Sequence, residues 1–105
     1  MTLTGLQTRS ALQRYSAKRM QKPVNFYFAA PGAQAVSVIG DFNDWQPAAN
    51  PMRRQPDGTW TTQLSLHHGH HQYQFLVDGQ AVLDPRAQGI ARNARNERVS
   101  VVAVS

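Results

Sequence analysis

Four histidines crowd one stretch of the chain, His67, His68, His70 and His71. Neutral imidazoles this close can bind Zn²⁺ or Ni²⁺. They flank Gly69 at a turn between strand-like runs, however, where neighbours point to opposite faces and no acid lies alongside. We therefore read a hydrated turn and expect neither a metal site nor a cofactor. The carboxylates point the same way: Asp41 and Asp44 are turn formers with an aromatic between them, and Asp78 and Asp84 belong to a hairpin and its exit. Ser, His and Asp are all present, but no motif holds a nucleophile at a strained elbow, and there is no cysteine to serve as one. No catalytic residue is expected. The most specific segment is Gly40-Asp41-Phe42-Asn43-Asp44-Trp45. Gly40 permits an unusual backbone, and Asp41, Asn43 and Asp44 can bond their own backbone. Trp45 is then a large aromatic at the start of a polar loop.

The elements around that segment read with a period of two. Val24, Phe26 and Phe28 alternate with Asn25, Tyr27 and Ala29, and Val36 and Val38 lead a second strand to Gly40. A loop rich in turn formers runs from Asp41 to Gly58. Trp60, Thr62, Leu64 and Leu66 mark a third strand, which Gly69 separates from Tyr73, Phe75 and Val77. Asp78-Gly79 is a two-residue hairpin signal, leading to a short strand around Ala81–Leu83. Asp84-Pro85 ends that strand, and 86–97 reads as an irregular, Arg- and Asn-rich loop. Val99, Val101 and Ala103 alternate along the last strand. Short strands at such intervals predict an all-β, immunoglobulin-like antiparallel β-sandwich. Its expected buried face comprises Val24, Phe26, Phe28, Val36, Val38, Trp60, Leu64, Tyr73, Phe75, Val77, Val99 and Val101.

The chain has 105 residues, which leaves room for one domain. The usual barrels and doubly wound sheets of polysaccharide- or nucleotide-using enzymes need two or more times this length. No apolar run approaches the roughly 18–20 residues of a membrane span. Met1 to Gln13 has no signal-peptide pattern, and with no cysteine the expected setting is the cytoplasm. The net charge is +5, all of it in residues 1–22, where Arg9, Arg14, Lys18, Arg19 and Lys22 meet no acid. Residues 23–105 are balanced. This basic arm, with a short helix expected near 11–20 behind Ser10-Ala11-Leu12-Gln13, can attract phosphate without specificity. Nucleic acid is not expected as the partner of the sandwich.

Read together, Gly40–Trp45, Gly58-Thr59-Trp60, Gly69–Gly79 and Asp84-Pro85 closely resemble one family, in order and over about residues 23–104. They are similar to the glycogen-binding domains of the AMP-activated protein kinase beta subunit. They are equally similar to the early-set domains at the N-termini of isoamylases and glycogen branching enzymes, grouped as family-48 carbohydrate-binding modules. The resemblance implies an early-set sandwich and a glucan site. The Trp closing the first segment stacks on a glucose ring in the glycogen-binding members, and Trp45 holds that place. The family's hydroxyl-binding Lys after the His-x-Tyr segment is Gln74 here, which bonds hydroxyls without a charge. A second stacking Trp normally follows Asp-Gly-x, and Ala81 stands there instead. The family's sugar-binding Asn before the last strand falls near Val99, with Asn96 the nearest amide.

Two readings follow. In the first, the chain is a stand-alone, non-catalytic module that recognises α-1,4-glucan such as glycogen through Trp45, Gln74 and Asn96. In the second, it is a protein-interaction or regulatory module of the same fold with a degenerate sugar site, whose partner is a glycogen-metabolism or regulatory protein. The retained Trp45 favours the first; Ala81 favours the second.

Overall fold

The computed structural model describes residues 21–105. The helix expected near 11–20 lies outside the described residues. Eight strands follow in order: β1 (Lys22–Ala29), β2 (Val36–Gly40), β3 (Arg53–Arg54), β4 (Thr59–Leu66), β5 (Gly69–Val77), β6 (Gln80–Val82), β7 (Gly89–Arg92) and β8 (Arg98–Val104). They form two antiparallel sheets. One has the order β1-β4-β3; the other runs β2-β5-β8-β7, with β6 also paired to β5. The fold is therefore the all-β sandwich that the alternation predicts.

β1 begins at Lys22 and includes Pro23, two residues earlier than the alternation that starts at Val24 indicates. Proline is tolerated there because β1 is the edge of its sheet. From β1, Phe26 enters the core, with Val24 and Phe28 packed against it. From the facing sheet come Val36, Val38, Tyr73 and Phe75. The aromatics meet edge-on, Phe26 with Tyr73 at 5.1 Å between centroids and Tyr73 with Phe75 at 5.9 Å. Such pairs add about 0.5–1.5 kcal/mol beyond their burial. Trp60 joins them at 6% exposure, and its Nε1–H donates to the Ala30 carbonyl at 2.9 Å, so its one polar atom is satisfied.

Beyond such shifts of strand ends, which also move the short strand expected at Ala81–Leu83 to Gln80–Val82, three departures concern strand existence and facing. The stretch 86–97 is not wholly irregular, because Gly89–Arg92 pairs with β8 as β7. The long loop from Asp41 likewise contains β3 and a bridge from Pro51 to Ser37. Thirdly, β8 has the opposite parity from the one expected. Ser100 pairs with Tyr73 and His71 with Val102, so Ser100, Val102 and Val104 face the core and Val99 and Val101 face outward. Valines occupy both parities of this strand, so alternation carries no register information. The choice rests on Ser100, whose Oγ accepts the Asp84 N–H at 2.8 Å, while Asp84 Oδ2 accepts the Tyr73 hydroxyl at 2.6 Å. Val99 is nevertheless only 1% exposed, so it is covered from the outer side of the sheet.

Candidate functional site

The loop after β2 is built around Asn43. Its Oδ1 accepts the Gly40 N–H at 3.0 Å, and its Nδ2 donates to the Val38 carbonyl at 3.0 Å and to Asn50 Oδ1 at 2.7 Å. The Gly40 carbonyl accepts N–H groups from both Asn43 and Trp45. Asp41 fastens the loop to β5: its N–H donates to the Gln72 carbonyl and its Oδ2 accepts the Gln72 N–H, each at 3.0 Å. Gly40 is required by space, since a Cβ there would meet the Gln72 carbonyl oxygen at 2.6 Å and the Phe42 ring at 2.6 Å.

This clamp holds two consecutive side-chain-bearing residues in the left-handed region, Asp44 at φ 56° and Trp45 at φ 57°. Each such conformation costs on the order of 1–3 kcal/mol and persists only where its surroundings impose it. The result is a half-buried indole beside the outer face of the larger sheet. Tyr73 and Phe75 point inward, so Gln72 and Gln74 point outward. Trp45, Gln72 and Gln74 line one groove of about 580 Å³, completed by Asp44 and by Asn93, Arg95 and Glu97 from the β7–β8 turn. The Gln74 amide is oriented by a 2.9 Å bond from Nε2 to the Arg98 carbonyl, which leaves Oε1 without a donor among the described residues.

The β7–β8 turn forms the opposite wall. Asn93 Oδ1 accepts the N–H groups of Arg95 and Glu97, and its Nδ2 donates to Glu97 Oε1. Asn96 lies in this turn with φ 65°, a conformation that asparagine tolerates better than most residues. Its backbone closes the turn, donating to the Asn93 carbonyl and accepting from Arg92, and it does not line the groove. Of the three residues singled out in the sequence, Trp45 and Gln74 thus line one groove, and Asn96 is not among its lining residues. Val99 lies on the outer face but is too buried to meet a ligand. Gln72 was legible from its shared parity with Gln74. Arg95 and Glu97 were not, because their approach depends on a β7 that alternation did not reveal.

Ala81, exposed on β6, pairs with Leu76 and so shares the face of Gln74 one step along the sheet. The histidine cluster lies elsewhere, at the end of the sandwich. His71 belongs to β5, with Nε2 donating to the His67 carbonyl at 2.8 Å and Nδ1 at 3.4 Å from Asp41. It is therefore part of the support for the Asp41 clamp rather than of a free hydrated turn.

A sandwich whose outer face carries an aromatic beside amides has the groups that carbohydrate recognition uses, although the fold alone names no function. Residues 22–105 match the family model described as the glycogen recognition site of AMP-activated protein kinase, and the chain belongs to that family. Among curated proteins it is similar to 1,4-alpha-glucan branching enzymes. The one from Rhizobium johnstonii is 38% identical over 87 residues, covering 78% of this chain and 12% of the enzyme. That of Xanthomonas campestris pv. campestris is 36% identical over 74 residues, 68% of this chain and 10% of the enzyme. The Cupriavidus pinatubonensis enzyme reaches 63% identity over 38 residues, 35% of this chain and 5% of the enzyme. The chain thus matches only a small part of each relative's length.

Proposed function

We propose that this chain carries a non-catalytic module that binds α-1,4-glucan, with the Trp45 indole as the stacking surface. Gln74 and Gln72 supply hydrogen bonds to sugar hydroxyls, and the polar side chains of the β7–β8 turn close the groove. The observation that carries this reading is the single groove that brings Trp45 and Gln74 together. A pyranose ring offers C–H groups to the indole face, for about 0.5–1.5 kcal/mol beyond area burial if aromatic-pair values transfer. Each hydroxyl bond adds roughly 0.5–1.5 kcal/mol, because water competes for the same groups. With one platform, short oligosaccharides should bind in the millimolar range, about −4 kcal/mol. A polymer compensates by presenting many sites.

Affinity electrophoresis in glycogen-containing gels tests this. The chain should be retarded, and Trp45→Ala should lose most of that retardation while keeping its fold. A chain that is not retarded, with Trp45→Ala costing stability like a core substitution, would overturn the reading. The second reading, an interaction module with a degenerate sugar site, draws on Ala81 at the family's second platform and on Ile90, 51% exposed on the edge strand β7.

A further inference from the structure

The smaller sheet has an outer face of its own, and the glucan groove does not use it. Phe26 and Phe28 point into the core, so Asn25 and Tyr27 point out of β1. Tyr27 is 49% exposed. Register sets Tyr27 opposite Thr61 and Thr61 opposite Arg53, which makes one row across three strands. Asn25 opposite Gln63 makes the next row. The amides are already oriented: Gln63 Nε2 donates to Asn25 Oδ1 at 3.0 Å, and Gln55 Nε2 donates to Thr61 Oγ1 at 3.1 Å. Gln63 and Asn25 are exposed, so the other half of each of these two amides is open to solvent. These six residues, with Pro51 at the rim, surround a shallow groove of about 540 Å³, close in size to the Trp45 groove.

We infer that this face is a second binding site for a neutral α-glucan chain, with Tyr27 as its stacking ring. The chemistry argues for a neutral polyhydroxylated ligand. The groove holds one flat aromatic, three amides, hydroxyls and the exposed Arg53 guanidinium, so groups that bond hydroxyls outnumber its single charge. A sheet surface is flat, as a ring-stacking site must be, and the paired amides present donors and acceptors in fixed positions. An apolar peptide would find little beyond the ring and Pro51. The ligand class rests on the α-glucan reading above, but the residues and the sheet are different. The two grooves lie on opposite outer faces, so a branched polymer can engage both at once and gain avidity without new contacts.

The test is affinity electrophoresis in glycogen gels with the full chain, Trp45→Ala, Tyr27→Ala and the double variant, each checked by thermal melting. Should Tyr27→Ala loosen the edge strand, Tyr27→Thr keeps strand propensity and removes the ring. We expect Tyr27→Ala to weaken retardation about 2- to 13-fold, the range of one stacking contact. Trp45→Ala should keep a residual retardation that the double variant loses. If Trp45→Ala abolishes binding and Tyr27→Ala matches the original chain, this second site is overturned and the Trp45 reading stands. If Tyr27→Ala abolishes binding while Trp45→Ala has no effect, the second site is supported and the Trp45 reading fails. If the unaltered chain is not retarded, both are overturned.

Discussion

Trp45 is held in a backbone that bulky side chains avoid, at φ 57°, because its N–H and the Asn43 carboxamide fix the turn. That separates two effects of replacing it. Trp45→Ala and Trp45→Gly should lose glucan retardation equally. Trp45→Gly should melt higher than Trp45→Ala, by about 1 kcal/mol, since only glycine adopts this region freely. Equal melts would show that the turn relaxes once the indole is gone. Trp60→Ala is the contrast: 6% exposed and bonded to Ala30, it should cost about 3–5 kcal/mol in a denaturant titration. Tyr73 adds a pH dependence. Burial, and then the neighbouring Asp84 carboxylate, push its phenol far above the ordinary tyrosine range. In the unfolded chain the phenol ionises near pH ~10, while in the folded chain it keeps its proton. Its contribution is therefore complete below about pH 10 and is lost as the pH rises further. Tyr73→Phe should lower stability at neutral pH by about 1–3 kcal/mol, because Asp84 loses its partner. It should also flatten the alkaline fall in stability, measured by denaturant titration across that range.

At the scale of elements, the proposed glucan site makes β6 the strand that would set how many rings a chain could stack on. Its three residues pair with the end of β5, and Ala81 sits opposite Leu76 on the face that carries Gln74. Diagonal neighbours on such a face lie about 7–8 Å apart, within reach of an aromatic side chain. Ala81→Trp should therefore strengthen glycogen retardation by roughly 2- to 13-fold, one added stacking contact, with little change in melting temperature. No gain would show that the groove runs past β6 rather than along it. The β2 loop and β5 were legible because their signals are local: Gly40, the Asx residues and Trp45 for one, period-two alternation for the other. β7 was not. Gly89-Ile90-Ala91-Arg92 has little strand character of its own, and only its pairing with β8 makes it a strand.

Across the whole molecule, the charge excess lies in the first 22 residues of the sequence. The arm through Lys22 carries all of the +5, while the rest of the chain is balanced. Every described strand starts at Lys22 or later. A chain beginning at Gln21 should keep a β-type circular dichroism spectrum, a cooperative melt and its glycogen retardation. Binding of the full chain to DNA, RNA or anionic surfaces should weaken steeply with salt and be lost on that truncation. Polyanion binding that survives the truncation would move the site into the sandwich.

What the sequence determined by itself was whatever depends on near neighbours. The alternating Phe26, Phe28, Tyr73 and Phe75 can bury only one face. The segment Gly40–Trp45 can only turn, and Asp78-Gly79 can only join two strands. Those features were enough for the all-β sandwich and the likeness to the family; that Trp45 and Gln74 serve one surface was implied by that likeness, not by local pattern. Three things needed the tertiary structure. The facing of β8 was undecidable among valines at both parities until Ser100 met Asp84 and Tyr73. Asn96 is an amide in the right stretch of chain, yet the turn uses its backbone and leaves it outside the groove. Tyr27 is one aromatic among others until β4 and β3 bring Thr61 and Arg53 beside it. Each of these is a contact between residues far apart in the chain, which packing selects and local pattern cannot.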